Sequence, residues 1–220
     1  MQVNLMDFWP RILEATNQTL LMVGISLLAA TLIGLPLGIA LVVTKDGGLL
    51  ENKPIFNALS SVVNFFRSIP FIILLVAILP VTRFIVGSSI GTAAAVVPLV
   101  IFSAPYIARL VESSLLEVKS GVIEAAEAMG ATPWQIIARV YIPEALSSIV
   151  LNLTIATIGL VGASAMAGFV GGGGLGDLAI SYGYQRFETD IMIATVLLLV
   201  VIVQITQTIG NFVSKKIRRQ

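Results

Sequence analysis

The stretch "GVIEAAEAMGATPWQIIARVYIPEAL", residues 121–146, decides how the chain is read, because it has the grammar of a soluble helical protein yet lies between long apolar runs. Ser120 is placed to cap a helix through Glu124 to Met129, and Gly130 suits the left-handed position that ends such a helix. Thr132, Pro133, Trp134 and Gln135 form a capping box with proline at the first helical position, which predicts a second short helix through Tyr141. Pro143 is expected to end that helix and to begin the next. Ala125, Ala126 and Ala128 allow close backbone access while Glu124 and Glu127 supply charge, so the helix, the Gly130-Ala131-Thr132-Pro133 turn and the second helix make a shaped knob. A knob implies a socket. The competing reading, an amphipathic connector lying on lipid, would set those carboxylates against an anionic inner leaflet.

The surroundings of this stretch are those of a membrane protein, with 57% hydrophobic residues against 11% charged ones. Five runs, residues 19–43, 57–80, 87–107, 148–170 and 189–212, each supply the roughly 20 mainly apolar residues that a helix needs to cross a bilayer. The expected fold is therefore all-α and multi-pass, with five transmembrane helices. The first run is too long for a cleavable signal and contains Gly34, Pro36 and Gly38, so it is expected to be retained. Five crossings leave the two ends on opposite sides. One set of loops carries Lys45, Lys53, Arg109, Lys119, Arg139, Lys215, Lys216, Arg218 and Arg219, the other only Arg11, Arg83 and Arg186, which places the first set in the cytoplasm. Residues 1–18 then form an external tail, residues 109–147 a cytoplasmic loop and residues 213–220 a cytoplasmic basic tail. No repeat or linker divides the chain further.

Several chemistries are poorly supplied. Without cysteine or histidine no thiolate metal site, disulfide framework or imidazole base can be built, and a net charge of +1 gives no reason to expect nucleic acid. "GGGGLG", residues 171–176, formally contains the dinucleotide fingerprint G-x-G-x-x-G, but an apolar span precedes it where a strand is required. It is expected to be a flexible turn between spans four and five, with glycine allowing positive φ or close packing. None of the five lysines ends a phosphate-binding G-x-x-x-x-G-K-[ST] loop, so ATP chemistry is expected on a partner subunit. A passive channel would not need the knob, and an intramembrane enzyme would lack an acidic pair within the spans.

Arg67 is the one charge expected near the middle of a span, in "VVNFFRSIPFIILLVAILP", with Pro70 kinking the helix beside it. It either faces a polar cavity or partner, where it could meet a substrate carboxylate, or is satisfied structurally by carbonyls at the proline break or at a subunit contact. In "GASAMAGF" the small residues around Ser164 and Gly168 favour a tight interface or a moving gate, and Met166 either fills a packing gap or closes a narrow pathway. Arg67, Pro70, Ser164, Met166 and Gly168 are the candidate pathway residues.

The pattern Glu124-Ala125-Ala126, Gly130, then Val140, Ile142 and Pro143 resembles the "EAA" motif of bacterial ABC importer permeases. At finer grain "NFFRSIPFIILLVAILP", "APYIARLVESSLLEV", "EAAEAMGATPWQI" and "LVGASAMAGFVGGGGLG" resemble the permeases for methionine uptake, and the likeness covers nearly the whole chain. Related permeases for other amino acids or betaines share the motif. The resemblance implies a type I importer domain over residues 14–209 and a coupling site made of Glu124, Ala125, Ala126, Glu127, Gly130, Ala131, Thr132, Pro133 and Pro143. It also implies a second copy of the chain in the bacterial inner membrane, two ATP-binding subunits that hold ATP and magnesium, and an external substrate-binding protein or lipoprotein. The chain itself is then a transport subunit with no cofactor and no catalytic residue, bathed in membrane lipid and moving L- and D-methionine by alternating access.

Overall fold

A computed structural model describes residues 5–218; residues 1–4 of the expected external tail and Arg219 and Gln220 of the basic tail lie outside the described residues. The regular elements are helices: α1 (Leu5–Thr44), α2 (Lys53–Ser68), α3 (Phe71–Ala77), α4 (Leu79–Val86), α5 (Thr92–Leu116), α6 (Ser120–Ala128), α7 (Pro133–Ile136), α8 (Ile142–Ala167), α9 (Gly174–Leu178) and α10 (Thr189–Arg218). Wide π turns occupy Ile137–Tyr141 and Ala179–Tyr184, and a 3₁₀ turn occupies Gly168–Val170. Four helical stretches are long and apolar enough to cross a membrane, and α2 with α3 makes a fifth if the bent pair is counted as one span.

At 40 residues α1 is about 60 Å long, roughly twice the thickness of a hydrocarbon core. It therefore continues helically through residues 5–18 rather than ending in a separate tail. Its partner is α5. A Cβ added at Gly34 would lie 2.7 Å from the Ala104 carbonyl oxygen, and one at Gly38 would lie 2.6 Å from that of Ala108. The two glycines, one turn apart, let the backbones meet. Asn152 on α8 donates to the Leu110 carbonyl (3.1 Å) and the Ser114 hydroxyl (2.8 Å), which ties α8 to the other side of α5.

The second apolar run is not one straight helix. Asn52 caps α2 by accepting from the Ile55 N–H (3.2 Å), Pro54 falls in its first turn, and the helix starts at Lys53 rather than at residue 57. Pro70 then forces its predecessor Ile69 into an extended conformation (φ −89°, ψ 122°), and α3 leaves at 98° to α2. Arg67 consequently sits in the last turn of α2, where a cation complements the helix dipole, instead of mid-helix. In the turn before α2, Lys53 bonds Asp46 at 2.9 Å and holds that exposed carboxyl below its ordinary range.

The third run is also corrected, because α5 begins at Thr92 and continues nine residues past 107 to Leu116. Its extension carries Arg109 and Glu112, paired at 2.6 Å, and Glu112 is 8% exposed. Arg109 also donates to the Ser60 hydroxyl (2.6 Å) and the Asn64 side-chain oxygen (3.0 Å) on α2, so the charges are paired and bonded where burial would otherwise be costly.

The glycine-rich segment is a packed element rather than a free turn. Gly171, Gly173 and Gly174 take φ of 75°, 77° and 80°, after which α9 turns back into the protein and buries Leu175 and Leu178. Gln18 accepts from the Gly174 N–H (2.8 Å) and Thr19 from the Leu175 N–H (2.9 Å), fastening the segment to α1. A Cβ at Gly176 would fall 2.2 Å from the Ala165 carbonyl oxygen, with backbone on every near side. Gly176→Ala should therefore destabilise the protein by about 1–3 kcal/mol, read as a lowered unfolding temperature in detergent.

Candidate functional site

The loop between α5 and α8 builds the site from its own capping chemistry. The helix α6 opens one residue earlier than the sequence suggests: Lys119 is its N-cap and makes no side-chain bond, while its carbonyl accepts from Val122 at 3.1 Å. Ser120 is the first helical residue, not the cap. At the other end Gly130 adopts φ +77°, its N–H reaches the Glu127 carbonyl (2.8 Å) and the Ala131 N–H reaches that of Ala126 (3.1 Å). These two bonds are the Schellman closure, which satisfies carbonyls that would otherwise be orphaned.

Two residues later the capping box is complete: Gln135 N–H donates to Thr132 Oγ1 (3.4 Å), and Thr132 N–H donates to Gln135 Oε1 (2.8 Å), with Pro133 opening α7. Pro143 does not end the helix. The chain runs from Pro133 through a π turn into α8, and Pro143 lies in the first turn of α8. Because proline cannot bond the carbonyl four residues back and its ring crowds that group, the widened turn at Ile137–Tyr141 is the place where the chain absorbs it.

The knob has two faces. Ala126, Ile136 and Tyr141 are buried in one cluster with Val111 and Leu115 of α5 and with Ala145 and Ile149 of α8. Glu124, Ala125, Glu127 and Ala128 face outward, and beside them stand Met129, 81% exposed, and Trp134, 76% exposed. Large apolar side chains held this far out are candidates for contact with a partner. Met129 and Trp134 were missed as such from the sequence because their side of each helix is set by Ala126 and Ile136 seating in the core. Between the knob, the Gly47–Gly48 turn and the end of α5 lies a cleft of about 210 Å³, with Glu124 and Glu127 among its lining.

The candidate pathway residues separate into two kinds. Arg67 is exposed and has no ion-pair partner among the described residues, Pro70 is exposed at the α2–α3 break, and Met166 is 47% exposed on α8. Ser164 is buried and donates to the Val161 carbonyl (2.7 Å), and a Cβ at Gly168 would strike the Asp177 nitrogen at 2.2 Å. These two set packing behind Met166. Phe71, just beyond Pro70, shares a core cluster with Val161, Ala163 and Ala167 of α8, so the break is anchored beside that small-residue segment.

Helices long and apolar enough to cross a membrane, with a capped two-helix knob at one end, define a membrane component, and comparisons with known proteins place it among transport subunits. The chain is a member of the family of binding-protein-dependent transport system inner membrane components, whose model matches residues 30–219. A probable D-methionine transport system permease protein of Vibrio cholerae is 54% identical over 206 residues, covering 94% of this chain and 92% of that one. The D-methionine transport system permease protein of Escherichia coli K12 is 53% identical over 151 residues, covering 69% and 70% of the two chains. Among solved structures, the methionine ABC transporter MetNI in inward-facing conformations contains a chain with TM-score 0.95 and 45% identity, covering 98% of this chain and 99% of that one. The chain is thus a multi-pass inner-membrane transport component.

Added bulk at Gly130 would meet nothing within 4 Å, so only its backbone angle constrains the residue. Gly130→Ala should loosen the α6–α7 turn by about 1–2 kcal/mol while Gly130→Asn, which tolerates left-handed φ, should cost less. Rates of limited proteolysis in the loop will rank the two.

Proposed function

We propose that this chain is the permease of an ATP-driven methionine importer, carrying L- and D-methionine inward by alternating access. In this reading two copies form the membrane unit, two separate ATP-hydrolysing subunits hold ATP and magnesium, and an external binding protein or lipoprotein delivers the solute. The observation that carries it is the knob: its turn closed by the Gly130 Schellman bonds and the Thr132–Gln135 box, one face seated in the transmembrane core and the other bare. The relatives named for methionine transport support the substrate.

The orientation follows from where the charges gather. Lys45 and Lys53 flank the Gly47–Gly48 turn that lines the cleft beside the knob, Lys119 and Arg139 lie in the knob's own loop, and Ser147 bonds Ser214 (2.8 Å between hydroxyls), which brings the basic end of α10 to the same end of the bundle. That end is cytoplasmic and the start of α1 is outside. Glu124, Ala125, Ala126, Glu127, Gly130, Ala131, Thr132, Pro133 and Pro143 form or shape the coupling surface, with Met129 and Trp134 as its apolar contacts. Closure of the ATP-binding subunits must change the contact energy of this surface between states, since otherwise ATP could not shift their populations. Arg67, Pro70 and Met166 line the moving path, while buried Ser164 and Gly168, the latter packed against Asp177 of α9, hold the segment that carries Met166.

The test is made on the complex in membranes. Trp134→Ala should weaken association of the ATPase subunit by about thirtyfold, roughly the 2 kcal/mol of an aromatic anchor, and Glu124→Lys should uncouple ATP hydrolysis from uptake. Unchanged association and uptake in both variants would sink the docking role. Labelled L- and D-methionine set against other amino acids and betaine tests the substrate, and a preference for one of the latter would replace it.

A further inference from the structure

The face that α2 turns away from the core holds the strongest unassigned feature. At 100° per residue, Lys53, Asn57, Ser60, Ser61, Asn64, Arg67 and Ser68 all fall within about 120° of arc, so every polar side chain of the helix shares one stripe. A second arc, with Phe56, Leu59 and Val63, packs against Leu41 of α1 and Ala108 of α5. A third holds Ile55, Val62 and Phe65, all exposed. Such a helix suits three environments at once: protein, hydrocarbon and water.

The polar stripe cannot be assigned to lipid, where amides, hydroxyls and a guanidinium go unsolvated. Part of it is satisfied within the chain: Arg109, neutralised by Glu112, bonds Ser60 and Asn64, Lys53 pairs with Asp46, and Ser68 donates to the Asn64 carbonyl within its own helix (2.8 Å). Ser61 and Arg67 remain exposed, and Arg67 is the stripe's unpaired charge among the described residues. The stripe also begins at the Asp46–Lys53 turn, at the end of the bundle where the knob lies, so water can enter along it.

We infer that this face of α2 is a hydrated wall of the translocation path, suited by its hydroxyls, amides and single cation to a small solute bearing a carboxylate. The inference rests on the transport reading, because a path is what brings water to this face. The chain contains no cysteine, which makes single-thiol variants directly readable. In inside-out vesicles holding the whole complex, Ser61→Cys and Ser68→Cys should react with a charged, membrane-impermeant thiosulfonate at least about tenfold faster than Val62→Cys and Phe65→Cys, since the reactive thiolate forms where water reaches it. Labelling is read as a mass shift of this chain alone.

Equal rates for the two sets, or faster reaction at Val62 and Phe65, would overturn the inference. So would protection of the Ser61 and Ser68 variants with oxidative cross-linking to a second copy, which would make the stripe a subunit contact. The near-isosteric serine replacements limit misfolding, and an unfolded variant would react at all sites alike and so count against the inference. Failure of the transport reading would show differently, as no ATP-dependent uptake by the complex holding the unsubstituted chain, whatever the thiol pattern.

Discussion

Lipid tails are as apolar as leucine, so helices in a bilayer are held by close packing and internal hydrogen bonds more than by exclusion from water. In this protein α1 meets α5 where Gly34 and Gly38 leave no room for a Cβ beside the carbonyls of Ala104 and Ala108. That spacing fixes α5, and α5 then organises the remainder: Arg109 holds α2, Asn152 holds α8, and Val111 with Leu115 forms the floor on which the knob rests. Widening the α1–α5 contact would disturb all three.

The knob and the spans are consequently one mechanical body. Ala126, Ile136 and Tyr141 lie in the same cluster as Ala104, Ile107 and Ala156, which belong to α5 and α8. A force applied at Met129 or Trp134 is transmitted through packed side chains into two membrane helices. In the proposed coupling role this surface would carry displacement from a partner subunit into the spans. The helix α2, attached mainly by its Phe56–Leu59–Val63 face and broken from α3 at Ile69, is the less constrained neighbour.

Local signals in the sequence were legible where local chemistry decides the outcome. Gly130, the Thr132–Gln135 box and the break at Pro70 depend on a few adjacent residues, and each stands where the sequence puts it. Hydropathy misplaced the start of α2 and the end of α5 because it weighs apolar density and ignores caps and ion pairs: Asn52 and Pro54 start α2 inside a polar turn, and the Arg109–Glu112 pair lets α5 run on past Ile107. The glycine segment was misread as flexible because glycine permits both a loose turn and a tight contact. What decides between them is Ala165, eleven residues from Gly176. For the candidate pathway the sequence offered residue types without faces, and it could not separate buried Ser164 from exposed Met166.

The π turn at Ile137–Tyr141 has a consequence for direction. A turn that takes one residue more than an α-helical turn shifts the helix on one side of it by about 100° in phase relative to the other. The way Trp134 points is thus offset from the way α8 faces its neighbours, although α7 and α8 are continuous in the chain. The turn works as an angular offset, aiming the knob along a bearing that an unbroken helix through Pro143 would not have given it.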